Sequence, residues 1–178
     1  MPITFEPLAK RHDRSHFRCG EAQLDEWFQK RAGQDERRNV ARVFVALDDD
    51  SQIVGFYSLN AFTLSLDEVP DDIAAKLPRY DHIPAALIGR LARHEQSRGK
   101  GIGEILIADA LQRIINVAHD LAVFAIVVEA KNDSAFDFYQ SFGFTPFPMH
   151  PDRLFMLTST AAAALKKANL SASSHPPK

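Results

Sequence analysis

The segment Arg98-Gly99-Lys100-Gly101-Ile102-Gly103 has the composition of an anion cradle. Three glycines at alternate positions let backbone N–H groups approach a ligand with no Cβ in the way. Arg98 and Lys100 add positive charge. An apolar helical stripe begins directly after the loop, so the unpaired donors of a helix N-terminus and the positive end of its dipole are added. Phosphate is the anion such a loop suits. The Walker spacing Gly-x-x-x-x-Gly-Lys-Ser/Thr is absent. The dinucleotide spacing Gly-x-Gly-x-x-Gly fails at its third glycine, whether counted from Gly99 or Gly101. What remains is Arg-x-x-Gly-x-Gly, from Arg98 through Gly101 to Gly103.

A strand before the loop and a helix after it would position it, and the pattern supplies both. Residues 85–93 read as a strand. Residues 101–119 read as a helix whose stripe is Ile102, Ile105, Leu106, Ala110, Ile114 and Val117. Residues 122–130 are almost continuously apolar, as in a strand buried on both faces. Residues 133–142 read as a short helix that Asn132 or Asp133 could cap and Gly143 stops. Upstream, residues 22–32 read as an amphipathic helix with Leu24, Trp27, Phe28 and Arg31 at helical spacing. Residues 40–47 and 53–64 form a hairpin around Asp48-Asp49-Asp50-Ser51. A short helix is expected near 73–77, a strand at 154–157 and a helical turn at 161–167. The order predicts an α/β (α+β) fold with a mixed sheet. Residues 1–165 are expected to form a single domain and residues 166–178 a disordered tail.

Composition bounds the class. The chain has 178 residues, 46% hydrophobic and 25% charged, with thirteen phenylalanines, so it can bury a sizeable core. The single cysteine, Cys19, excludes an intramolecular disulfide and any cysteine-based zinc site, and no metal is expected. No signal-peptide pattern or apolar run of membrane-spanning length is present, so a cytoplasmic protein is expected. The net charge of −2 gives no global pull toward nucleic acid. Its distribution is uneven: Lys30, Arg31, Arg37, Arg38 and Arg42 stand against Asp35 and Glu36, and Arg90, Arg93, Arg98 and Lys100 against Glu95. These segments form either a patch for a polyanion or ordinary solvated faces.

The loop resembles the pyrophosphate loop of the GNAT superfamily of N-acetyltransferases. The stretch Asn132-Asp133-Ser134-Ala135-Phe136-Asp137-Phe138-Tyr139-Gln140-Ser141-Phe142-Gly143-Phe144 is similar to the block that follows the fifth strand in that superfamily. The resemblance implies a mostly antiparallel central sheet, splayed between strands 4 and 5 and flanked by helices, with acetyl-CoA as cofactor. Arg98, Gly99, Lys100, Gly101, Ile102, Gly103 and Glu104 would hold the pyrophosphate. Backbone groups of Leu91, Ala92 and Arg93 would pair with the pantetheine arm, Asn132 would contact the arm, and Phe138 would pack near it. Tyr139 would be the catalytic residue, near the CoA sulfur. A phenol has a pKa of about 10 and a thiol about 8.5, so a full proton transfer is mismatched by about 2 kcal/mol. A hydrogen bond, or a tyrosine of lowered pKa, would still serve as an acid. No general base stands out: Glu129, His94 and Asp133 read as surface or capping residues. An α-amino acceptor, with a pKa near 7.7–8.0, could do without one.

Further segments are similar to one GNAT branch, the acetyltransferase toxins of bacterial type II toxin–antitoxin systems. They are Phe17-Arg18-Cys19-Gly20 with Leu24-Asp25-Glu26-Trp27-Phe28, Arg42-Val43-Phe44-Val45, Val54-Gly55-Phe56-Tyr57-Ser58-Leu59, Ile83 through Ala92, Glu129-Ala130-Lys131 and Arg153-Leu154-Phe155. This narrower resemblance implies an aminoacyl-tRNA acceptor, a block of translation, a ribbon-helix-helix antitoxin and a homodimer. Arg37, Arg38, Arg42 and Arg90 are the candidate tRNA contacts. The chain departs from the branch at Arg93-His94, where an aliphatic then an acidic residue is common, and at Arg98, where glutamine is common. The competing readings are a GNAT enzyme acting on a small-molecule amine and a non-catalytic CoA-binding module.

Overall fold

The computed structural model describes residues 2–173. Its strands are β1 (Thr4–Pro7), β2 (Arg42–Leu47), β3 (Ile53–Leu64), β4 (Ile83–Arg93), β5 (Ala125–Glu129), β6 (Thr145–Pro146) and β7 (Arg153–Leu157). Its helices are α1 (Ala22–Lys30), α2 (Ala32–Arg37), α3 (Asp71–Ala74), α4 (Ile102–Val117), α5 (Asp133–Ser141) and α6 (Thr158–Ser173). The strand order is β1-β2-β3-β4-β5-β7-β6. The chain divides into two compact units, Met1–Asn60 with Ile88–Ala110, and Ala61–Leu87 with Leu111–Lys178.

In the first unit β2 pairs antiparallel with both β1 and β3, from Thr4 opposite Leu47 and from Arg42 opposite Leu59. The Asp48 carboxylate closes the hairpin by accepting from the Asp50 and Gln52 amides at 3.0 and 2.9 Å. Alternation along β2 and β3 sends Val43, Val45 and Phe56 into a core that α1 completes with Trp27 and Phe28. The Phe28 and Phe56 rings stack at 3.9 Å, and Phe17 meets both edge-on. Gly55 is required by space. A Cβ there would stand 2.9 Å from Leu106 Cδ1 of α4 and 3.1 Å from the Ala92 carbonyl oxygen of β4. The helix that follows the anion loop packs over β3 only because position 55 has no side chain.

In the second unit β7 pairs antiparallel with β5 and with β6. Ala125 through Val128 are wholly buried, as their uninterrupted apolar run predicts. Leu64, Val69, Ile83, Phe147 and Phe155 pack around Ala125 and Val127. Two strands were not foreseen: β1, four residues ending in proline, and β6, two residues long. α6 continues to Ser173, where a helical turn and a disordered segment from 166 were expected. The alanines at 161–164 favour helix, Ala161 is buried, and Leu165 and Leu170 flank a groove with Gln112 and Ile115 of α4. Residues 174–178 lie outside those described.

Candidate functional site

In the first unit β4 ends at Arg93, with Leu91 and Arg93 half-buried and Ala92 buried. The His94 amide donates to the Val54 carbonyl, and the Glu95 amide to the Arg18 carbonyl, both at 2.8 Å. A single 3-10 turn, Glu95–Ser97, follows, and His94 Nδ1 accepts from the Gln96 amide. The chain then turns through Gly99 at φ +76° and Gly101 at φ +72°, a region costly for residues with a Cβ. Ile102, 1% exposed, anchors the first turn of α4 in the core. The first N–H groups of a helix have no acceptor one turn back, so those of Ile102, Gly103 and Glu104 are left for a ligand. Nothing lies within 4 Å of a Cβ placed on Gly99, so the space above the loop is open. Arg98 and Lys100 are exposed and paired with no carboxylate among the described residues. Two cations, converging amides and open space fit a pyrophosphate. Glu104 can serve it only through its amide, because its carboxylate, 4.0 Å from the Cβ position of Gly101, repels phosphate.

In the second unit α5 carries Asn132, Phe138 and Tyr139. Asn132 is the N-cap, its Oδ1 accepting from the Ala135 amide at 2.8 Å. The far end is a Schellman motif. The Phe144 amide donates to the Tyr139 carbonyl at 3.1 Å, the Gly143 amide donates to Gln140 at 3.0 Å, and Gly143 sits at φ +109°. The hydrophobic contact of that motif is Phe144 against the Tyr139 ring, edge-on at 5.8 Å. Tyr, Gly and Phe at these spacings therefore lock the tyrosine ring in place. Phe138 is half-buried, 5.5 Å from Tyr139 between ring centres.

Burial pushes the Tyr139 phenol up to about 12, away from the lowering that the sequence reading allows for. Above pH 10 the unfolded chain releases this proton and the folded chain keeps it. The stabilisation is thus full below pH 10 and is lost as pH rises toward 12, an amount of about 2–3 kcal/mol. Urea denaturation at pH 9 and pH 11 should show the parent losing more stability than Tyr139→Phe. Equal losses in the two chains would contradict this burial.

Two of the three residues weighed as bases are engaged structurally. Glu129 accepts from Arg153 at 3.1 Å. His94 caps the 3-10 turn and lies edge-on to Phe17 at 5.4 Å. Asp133 is exposed in the first turn of α5.

The four candidate acceptor contacts all fall in the first unit, in different states. Arg37 and Arg38 are exposed at the end of α2. Arg42 is neutralised by Glu36 at 2.9 Å and also donates to Asn39. Arg90 is half-buried with its guanidinium 4.1 Å from the centre of the Trp27 ring, and the Trp27 indole donates to Asp35 at 2.9 Å. Burial holds Arg90 below its ordinary value, and the nearby Asp35 charge partly offsets that. Sequence reasoning missed Arg14, whose segment carries no periodic signal. It donates to the Phe28 carbonyl at 2.7 Å and reaches α2.

Residues 39–146 match the family model described as "Acetyltransferase (GNAT) domain". The "Probable toxin TacT" of Sinorhizobium fredii is 34% identical over 164 residues, covering 87% of this chain and 91% of that protein. The "tRNA-acetylating toxin" of Mycobacterium tuberculosis is 33% identical, covering 86% and 90%. Among solved structures, AtaT complexed with acetyl-methionyl-tRNAfMet superposes with a TM-score of 0.84 at 26% identity, covering 92% of this chain and 99% of that one. AtaTR bound with AcCoA gives 0.81 at 26% identity, covering 92% and 98%.

Proposed function

We propose that this chain, which belongs to the GNAT family of acetyltransferases, transfers acetyl to the α-amino group of an aminoacyl-tRNA and thereby acts as a translation-blocking toxin. The observation that carries the reading is the glycine loop at the N-terminus of α4, with Arg98 and Lys100 beside it. The relative named a tRNA-acetylating toxin, and the neighbour complexed with acetyl-methionyl-tRNAfMet, support the acceptor.

Acetyl-CoA supplies an acetyl group activated as a thioester. Arg98, Lys100 and the amides of residues 99–104 hold its pyrophosphate. The backbone of Leu91, Ala92 and Arg93 pairs with the pantetheine arm and polarises the acyl carbonyl. In the second unit, Asn132 and Phe138 are the residues that the family resemblance assigns to contact with pantetheine. Tyr139 donates a hydrogen bond at the sulfur as the C–S bond breaks. With the phenol near 12 and a thiol near 8.5, a completed transfer would cost about 5 kcal/mol, so the tyrosine keeps its proton and stabilises the leaving charge. The amine loses its own proton to solvent, which an α-amino group near neutrality permits without a strong base. Arg37, Arg38 and Arg90 face the nucleic acid, with Arg42 held in reserve by Glu36. The reading extends, through the resemblance to the toxin branch alone, to a ribbon-helix-helix antitoxin, a homodimer and action in the cytoplasm; the relative named a probable toxin supports its toxin part.

Incubation with labelled acetyl-CoA and aminoacyl-tRNA should yield N-acetylated aminoacyl-tRNA. Acetylation of free small amines alone would move the function to a metabolite acceptor. The loop has its own test. Gly101→Val forces a β-branched residue to φ +72° and should raise the acetyl-CoA dissociation constant at least about tenfold by calorimetry, with the fold intact. Unchanged affinity would remove the loop from the binding site.

A further inference from the structure

Gly33 lies inside α2, where alanine would favour the helix. A Cβ at that position would meet Arg14 Nη2 at 3.3 Å and Arg37 Nη1 at 3.4 Å. Two guanidiniums therefore converge over one glycine. Arg14 comes from the segment before α1, and its Nη1 is fixed by the Phe28 carbonyl at 2.7 Å with the Phe28 ring 5.9 Å away. Arg37 comes from the last turn of α2. Neither is paired with a carboxylate among the described residues. The acids nearest in sequence are already taken, Asp13 by the Ser15 amide and hydroxyl, Asp35 by the Trp27 indole and Glu36 by Arg42 and the Val43 amide. Burial, and after it the Arg37 charge, holds the Arg14 guanidinium below its ordinary value, so the pair is poised to gain from an anion.

We infer that Arg14 and Arg37 form a binding site for a backbone phosphate of the RNA substrate, with Gly33 kept side-chain-free to admit both guanidiniums. This deepens the function proposed above and rests on it for the identity of the RNA. Two forked guanidiniums match the oxygens of a phosphodiester. The exposed Arg38 one residue on continues the positive surface, which suits a repeating polyanion better than one carboxylate.

The test uses the full chain and a labelled, deacylated tRNA, with affinity measured across a salt series. Arg37→Gln should weaken binding about three- to tenfold and lower the slope of log K against log salt by about one. Gly33→Ala should also weaken binding while leaving the thermal midpoint at or above the parent's, an effect that a purely structural role would not produce. Affinity for acetyl-CoA should not move in either variant. An unchanged slope in Arg37→Gln, or a parent that binds no tRNA at low salt, overturns the site. An equal Arg37-dependent loss with polyglutamate as probe reassigns it to an acidic polypeptide and overturns the RNA assignment. A parent that binds tRNA through Arg37 yet acetylates no aminoacyl-tRNA leaves the site standing and removes the proposed function. A parent that acetylates aminoacyl-tRNA with an unchanged slope in the variant does the reverse.

Discussion

Tyr139→Phe should lower kcat about a hundredfold and leave acetyl-CoA binding unchanged, as read by steady-state kinetics and calorimetry. The substitution removes one oxygen and keeps the ring, so the contacts with Phe138 and Phe144 and the Schellman motif survive. What is lost, on the proposed mechanism, is a donor to charge that exists only while the thioester breaks. Such donors contribute on the order of a hundredfold or more. Because the phenol sits near 12, Tyr139 supplies no falling limb to the rate between pH 7 and pH 10 in the parent. Full activity in the variant would exclude the residue from the chemistry. A falling limb near pH 9 that disappears with the hydroxyl would instead mean a phenol far more acidic than its burial implies.

Gly55→Val is expected to have the largest effect on the fold. The first added carbon already overlaps Leu106 at 2.9 Å, and the Ala92 carbonyl at 3.1 Å is backbone and cannot swing aside. Two further methyl groups require β3 and α4 to separate. A loss of about 3 kcal/mol follows, equivalent to a thermal midpoint about 6–12 °C lower for a chain of this size. On the proposed function acetyl-CoA affinity should fall with it, since that reading places the pyrophosphate at the start of α4 and the pantetheine arm along Ala92. A variant as stable as the parent would show that the helix does not need the gap at position 55.

Local chemistry made some elements legible. β3 spans the 53–64 run expected of it, and α5 starts at its Asn132 cap and ends before Gly143, because turn and cap signals bracket both. β1 was not legible, since four residues ending in proline become a strand only through β2. α6 has no strong apolar stripe, and its length is visible only once Leu165 and Leu170 lie beside α4. In the candidate site, glycine spacing alone marked the turn before α4, where Gly99 and Gly101 have positive φ. The state of each arginine carried no such mark. Arg42 looks as available as Arg37 in the sequence until the fold places Glu36 against it, and Arg14 is 23 positions from the residue it accompanies.

The chain has one tryptophan, and it lies in the first unit with 5% of its surface exposed. Its indole N–H is held by Asp35 and its face is covered by Arg90. Emission excited near 295 nm therefore reports this unit alone, as a short-wavelength band that moves to longer wavelength when the ring meets water. Comparing that signal with far-ultraviolet circular dichroism along one denaturant series shows whether the second unit unfolds in the same step. An RNA that draws Arg90 off the ring should change the same band, giving an unlabelled optical readout of substrate engagement.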